Sequence, residues 1–242
     1  MQPWLDSYPI HSYEVDKDSR LTIVSIINYF QESAWRNAEA LGVGFNDLAA
    51  NNHFWILSRL YVEIYRYPLW EQTVQLETWP KGIENLFALR DFRLKSADGN
   101  DLLGAGSSAW LIIDATTQRL QRIDKTFENI PRLPQSAVEH KLGKIALAST
   151  MTPKAQIVAG HTDLDVNNHV NNVSYLNWAV NYLPVDDDKL TVRSAELNFL
   201  SEARLRSPVE ILYGNDCEKI WTCQLRNPET GKEYCRIKLT IE

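Results

Sequence analysis

One arrangement occurs twice in this chain and limits what it can fold into. A polar cluster of alternating side chains precedes an apolar run of helical period, and strand-like runs follow. The first cluster reads Asp16-x-Asp18-x-Arg20 ahead of Val24-Ser25, the second Asp165-x-Asn167-x-His169 ahead of Val173-Ser174. In the first half Ile23, Ile26, Ile27, Phe30, Ala34, Ala38 and Leu41 share one helical face, and Gly42 ends the run. β-Branched and aromatic residues then mark strands over 54–67, 73–79, 85–95 and 101–114, with Asp98-Gly99 as a hairpin turn. A short segment, 8–15, precedes the helix.

The second half restarts the pattern. A short strand over 156–160 leads into the polar cluster, and Val173, Leu176, Val180 and Leu183 give a helix that Pro184 stops. Strands follow over 190–200, 207–213, 220–226 and 234–241, with Asn227–Gly231 as the last turn. Between the halves, 124–152 alternates little and contains Pro131 and Pro134, as expected of a connector crossing the surface. The expected division is a first domain over 1–130, a linker over 131–152 and a second domain over 153–242. The fold class is α+β, one helix and an antiparallel sheet per half, and the repetition suggests a duplicated unit.

Composition narrows the function classes. Hydrophobic residues at 44% and charged residues at 23% belong to an ordinary globular chain with a sizeable core. The net charge of −6 argues against a dedicated nucleic-acid binder. No apolar run approaches the roughly 20 residues that span a bilayer, so no membrane insertion is expected. The start, Met-Gln-Pro-Trp-Leu-Asp, lacks a basic and an apolar leader region, which places the expected location in the cytoplasm. Cys217, Cys223 and Cys235 are odd in number and not in C-x-x-C spacing, so they read as reduced, buried thiols on strands.

The stretch from His161 to Trp178 carries the chemistry. It places acids, amides and two histidines on the approach to a helix N-terminus, where backbone N–H groups and the helix dipole suit a developing oxyanion. Other readings fit less well. Asp163-x-Asp165-x-Asn167 imitates a calcium loop, but the sixth and twelfth positions hold Asn168 and Ser174 instead of Gly and Glu. His161 and His169 match no zinc spacing. Asn172-Val-Ser174 is a formal glycosylation sequon with no sign of secretion. Gly104-Ala-Gly106 lacks the third glycine of a dinucleotide fingerprint and sits within strand, so its small residues suit close packing of another element.

Asp165-Val-Asn167-x-His169-Val-Asn-Asn-Val-x-Tyr175 closely resembles the signature of the acyl-acyl carrier protein thioesterases of plant plastids and bacteria. Further landmarks come in family order: Trp55-Ile-Leu-Ser-Arg59, Val74-Gln-Leu-Glu-Thr78-Trp79, Arg90-Asp91-Phe92 and Thr117-x-Arg119-x-x-Arg122. The resemblance implies a tandem (double) hotdog fold, each half an antiparallel sheet wrapped around a long central helix. It implies hydrolysis of fatty acyl-acyl carrier protein to free fatty acid and carrier, with no metal or organic cofactor. Its catalytic set maps onto Asp165, Asn167 and His169, and a glutamate on a later strand onto Glu202. Plant members have a cysteine after that glutamate, where this chain has Ala203, so a thiol mechanism is out of reach there. The missing plastid transit peptide points to a bacterial source.

On this reading Glu202 or Asp165 activates water, Asn167 and His169 orient and polarise, and the helix end after His169 holds the oxyanion. The partner is an acyl carrier protein with a phosphopantetheine-linked acyl chain. Arg90, Arg93, Lys95, Arg119 and Arg122 are candidates for docking that acidic carrier. Two hotdogs in one chain already satisfy the usual pairing, so both a monomer and a homodimer stay open. The rivals are an acyl-coenzyme A thioesterase, a non-catalytic acyl-thioester sensor, and a dehydratase or hydratase. No helix-turn-helix or basic stripe supports the sensor, and the Asn167 and Glu202 matches speak against the last.

Overall fold

A computed structural model describes residues 2–123, 129–185 and 190–242; the part of the expected connector at 124–128 lies outside the described residues. The chain forms two compact units, Met1–Leu142 and Gly143–Glu242.

The first unit contains β1 (Trp4–Pro9), α1 (Ile23–Ala40), a short α2 (Phe45–Ala49), β2 (His53–Ile64), β3 (Thr73–Glu84), β4 (Phe87–Ser96), β5 (Leu102–Asp114) and β6 (Leu120–Gln121). The strands pair antiparallel in the order β1-β3-β4-β5-β2, with β6 on β5. The second unit contains β7 (Thr152–Val158), α3 (Asn172–Asn181), β8 (Val192–Phe199), β9 (Pro208–Cys217), β10 (Ile220–Arg226) and β11 (Glu233–Ile241). Its order is β7-β9-β10-β11-β8. Ranked within each unit, both sheets run first, third, fourth, fifth, second, the same topology twice.

In each unit the sheet closes around the helix. The apolar face of α1 is buried at Ile23, Ile26, Ile27, Phe30 and Ala34. Phe30 stacks on Phe92 of β4 at 4.5 Å, and Tyr8 of β1 bonds to Ser33 Oγ at 2.7 Å. A Cβ on Gly106 of β5 would lie 2.6 Å from both the Phe30 ring and the Tyr61 carbonyl, so only hydrogen fits where α1 crosses that strand. In the second unit Tyr175 meets Phe199 of β8 edge to face, and the Tyr213 hydroxyl of β9 donates to the Ala179 carbonyl. The central helix is unequal in the two units, 18 residues in α1 and 10 in α3.

The segment expected as a linker is tied down within the two units, up to Leu142 in the first and from Gly143 in the second. The Leu133 amide donates to the Pro80 carbonyl and the Ala137 amide to Asp91 Oδ2 in the first unit. In the second, the Ile145 amide donates to Asn198 Oδ1 and Arg236 Nη1 to the Ile145 carbonyl.

Several boundaries differ from the sequence reading. β1 begins four residues before the segment read at 8–15, as a strand of alternating exposure on the sheet edge. β7 starts at Thr152 and passes through Pro153, which a sheet edge tolerates because no neighbour needs its missing N–H. β3 continues beyond Pro80 through a register shift between Pro80 and Gly82, where β1 no longer pairs with it. The Asp98-Gly99 turn joins β4 to β5, with Gly99 at φ +77°.

Candidate active site

The loop before α3 is built by Asp165. Its Oδ1 accepts the amides of Asn167 at 2.8 Å and His169 at 3.2 Å. Its own amide donates to the His169 carbonyl at 2.8 Å, and its carbonyl accepts the Asn168 amide at 3.1 Å. Asn168 sits at φ +62°, a left-handed position that asparagine tolerates. A bridge between Leu164 and Val170 closes the loop. The carboxylate of Asp165 is thus occupied in folding its own turn. Asp163 is likewise structural: Oδ2 accepts the Gly160 amide, and its carbonyl accepts the Asn171 amide and the Ser174 hydroxyl.

This loop leaves two side chains for chemistry. Asn167 is exposed, and among the described residues its side chain has no hydrogen-bond partner. Val166 beside it is 98% exposed at the loop tip. His169 is partly covered, and its Nε2 lies 3.2 Å from Glu202 Oε2. The structure therefore joins His169 to Glu202, 33 residues away in sequence, while no hydrogen bond links Asp165 to Glu202 among the described residues.

Glu202 is not on a strand. β8 ends at Phe199, and Glu202 stands in the loop that follows. The neighbouring Ser201 hydroxyl donates to the Glu233 carbonyl at 2.6 Å. Two hydrogen bonds fix the next residue: the Val170 amide donates to the Ala203 carbonyl at 2.9 Å, and the Ala203 amide to Tyr175 Oη at 3.0 Å. Burial pushes the Tyr175 phenol well above its ordinary pKa and keeps it neutral. Tyr175 stands in the signature, but nothing in its type or spacing assigns it a role.

The N-terminus of α3 is less open than expected. Asn171 caps it, its Oδ1 accepting the Val173 amide at 3.0 Å and its carbonyl the Ser174 amide at 2.9 Å. The Asn171 amide is held by Asp163. The dipole remains, but these three donors already have acceptors.

Other candidates separate clearly. Arg90 is buried against Asn37 Oδ1 at 2.8 Å and Thr78 Oγ1 at 3.1 Å, and burial pulls its pKa down to about 10. It cannot meet a carrier, because its strand turns it inward onto α1. Lys95 is paired with Glu77 at 2.6 Å and Arg93 lies over the Trp79 ring, whereas Arg119 and Arg122 are exposed. Cys223 and Cys235 are buried on β10 and β11; burial pushes the Cys223 thiol up to about 12 and that of Cys235 well above its usual range. Cys217 differs from expectation: it ends β9 and is exposed. Among the described residues no cluster of three His, Cys, Asp or Glu side chains could hold a metal ion.

Comparison with known proteins adds to this geometry. Residues 3–130 match the family model of the acyl-ACP thioesterase N-terminal domain, and residues 150–242 that of the C-terminal domain. Oleoyl-acyl carrier protein thioesterase 1 of Arabidopsis thaliana is 28% identical over 77% of this chain and 57% of its own length. The palmitoyl-acyl carrier protein thioesterase of the same plant is 29% identical over 98% of this chain and 60% of its own. The chain thus spans little more than half the length of these chloroplastic relatives. An acyl-ACP thioesterase from Bacteroides thetaiotaomicron superposes with a TM-score of 0.90 at 22% identity, over 98% of this chain and 97% of that one. The 12:0-ACP thioesterase from Umbellularia californica gives 0.85 at 24% identity, over 98% and 96%. These likenesses show the hotdog-type fold.

Proposed function

The chain belongs to the acyl-ACP thioesterase family, and on that premise we propose that it hydrolyses fatty acyl-acyl carrier protein to a free fatty acid and the carrier thiol. The observation that carries the reading is the pair of His169 and Glu202, 3.2 Å apart, with Asn167 exposed on the same loop as His169. An acid, an imidazole and an amide donor at a helix N-terminus are the parts that water-dependent acyl transfer needs.

Glu202 is the general base. Asp165 already spends an oxygen on two backbone amides, whereas the Glu202 carboxylate is partly exposed and, among the described residues, meets only the His169 imidazole. The carboxylate removes a proton from water as the water oxygen bonds to the thioester carbonyl carbon. The side-chain N–H of Asn167 and the positive end of α3 face the oxygen that gains charge. When the tetrahedral intermediate collapses, the C–S bond breaks and the carbonyl re-forms. The leaving pantetheine sulfur takes a proton relayed from Glu202 through His169, which restores both groups. No protein nucleophile enters this scheme.

The deciding experiment compares acyl carrier protein and coenzyme A thioesters of one fatty acid, with the released acids measured by mass spectrometry. The expected result is a higher kcat/KM on the carrier, falling with salt because the carrier is acidic and Arg119 and Arg122 are exposed. Equal values on both thioesters, insensitive to salt, would overturn the carrier assignment.

A further inference from the structure

The repeated unit provides an internal reference for the loop that carries Glu202. In the first unit the Leu21 amide donates to the Pro68 carbonyl at 2.8 Å, as the Val170 amide does to that of Ala203 at 2.9 Å. Tyr65 and Arg66 both donate to the Leu103 carbonyl, as Leu200 and Ser201 both donate to that of Tyr234. Glu71 at φ 66° matches Arg206 at φ 65°. Residue by residue, Tyr67 therefore stands where Glu202 does, and Pro68 where Ala203 does.

One difference between the loops is paired. Proline has no N–H, so at position 68 there is no backbone donor to satisfy. Ala203 does carry that donor, in a place only 1% exposed. In the first helix the position equivalent to Tyr175 is Ile26, since α1 starts at Ile23 and α3 at Asn172. The unit with proline thus has an isoleucine, and the unit with an N–H has a hydroxyl that accepts it at 3.0 Å. A buried amide left without an acceptor would pull the loop out of place or cost stability.

Resting on the thioesterase reading above, we propose that Tyr175 is the positioning residue for Glu202. The nitrogen it holds belongs to the peptide joining Glu202 to Ala203, and the carbonyl of Ala203 is bound by Val170, directly after His169. The two bonds pin Ala203, one on its N–H from α3 and one on its carbonyl from the His169 loop, and so set the carboxylate of Glu202 against the imidazole. The ring is already fixed by Trp178 at 5.4 Å and Phe199 at 6.1 Å, so phenylalanine at this position keeps the packing and deletes only the acceptor.

The test is a cycle of Tyr175→Phe, Ala203→Pro and the double variant. Tyr175→Phe should lower kcat by about 10-fold or more with KM little changed, because a displacement on the order of 1 Å at a reacting group has costs of that size. The double variant reproduces the Ile26 and Pro68 chemistry by removing donor and acceptor together, and it should recover most of the lost kcat. A purely structural role predicts no such recovery. Wild-type kcat in Tyr175→Phe, or a double variant no better than the product of the single losses, overturns the proposal. Should Tyr175→Phe fail to fold, the double variant decides alone: near-wild-type kcat supports the role, and a loss as deep as that of Glu202→Gln overturns it. Crystal structures separate this from failure of the thioesterase reading. The 3.2 Å approach of His169 to Glu202 should open in Tyr175→Phe and close again in the double variant, whatever the substrate proves to be; an unchanged approach in Tyr175→Phe contradicts the proposal.

Discussion

The loops that open the two helices have one skeleton and different side chains on it. Asp16 Oδ1 accepts the amides of Asp18 and Arg20, both at 2.9 Å, as Asp165 Oδ1 accepts those of Asn167 and His169. Ser19 takes the positive φ that Asn168 takes, and the Val15–Leu21 bridge repeats the Leu164–Val170 bridge. Ser25 donates to the Glu14 carbonyl as Ser174 does to that of Asp163. Three differences bear on the chemistry: Asp18 against Asn167 and Arg20 against His169 in these loops, and Tyr67 against Glu202 in the segments that meet them. Arg20 is neutralised within its own loop, at 2.9 Å from Asp16 and 3.2 Å from Asp18, whereas His169 meets an acid from another segment. An aspartate that performs the same task in a loop without the acid–imidazole pair is a scaffold, and the chemistry belongs to what differs.

The largest expected contrast lies between His169→Ala and Arg20→Ala. Loss of the imidazole should cut kcat by about 10²–10⁴-fold. Loss of Arg20 removes two partly exposed ion pairs and should cost no more than about 1 kcal/mol, with turnover kept. Chemical denaturation and steady-state assays of both variants sharpen the comparison, and equal kcat in the two would break it. Next comes Asn167→Ala, expected to lower kcat about 10²-fold by removing an oxyanion donor, against Asp18→Ala, which should leave kcat alone. A matched decrease in that pair would mean that the first loop takes part in turnover.

Smaller effects are expected where the loops agree. Asp165→Ala and Asp16→Ala should each lose about 1–2 kcal/mol by freeing two amides. Urea unfolding should give similar losses for both, while only the first slows turnover by disturbing His169 and Asn167. A stability loss confined to Asp165→Ala would refute the shared skeleton.

The smallest effect on activity should come from the cysteines. A Cys217→Ser, Cys223→Ser, Cys235→Ser variant that folds should keep its kcat, and in the native protein iodoacetamide should label Cys217 alone. A thiol-bound acyl group trapped in turnover would contradict this. Cys223 also carries a pH dependence. Its folded pKa of about 12 lies above an unfolded value of about 8.5, so the unfolded chain loses its proton first. Its contribution to stability is fully present below about pH 8.5 and falls as pH rises towards 12. Thermal melts of Cys223→Ala should therefore fall less steeply across that window than those of the native protein.

Much of this was legible in the chain itself. The Asp-x-(Asp/Asn)-x-(Arg/His) overlay marked the two loops because each side chain in it has a job fixed by spacing: a carboxylate two and four residues ahead of the amides it caps. The face of α1 followed from its period, and Gly106 from the lack of room beside Phe30. What stayed hidden depended on tertiary neighbours. Arg90 has the composition of a surface group, and only the inward turn of β4 shows that Asn37 and Thr78 receive it. The early start of β7 at Thr152, through Pro153, depends on its place at the sheet edge. Ser33 and Asn37 sit on the buried side of α1 because Asp6, Tyr8 and Arg90 supply partners from other strands. The meeting of Glu202 with His169 needs a loop past the end of β8 that no periodicity announces.

On the proposed mechanism one acid in the second unit, Glu202, activates water while its counterpart in the first, Tyr67, does not. Single-turnover hydrolysis of a defined acyl-carrier thioester by Glu202→Gln and Tyr67→Phe, each beside the unaltered chain, tests it most directly. Glu202→Gln should fall about 10²–10⁴-fold with folding intact, and Tyr67→Phe should keep the native rate. A Glu202→Gln variant that turns over at the native rate would contradict it.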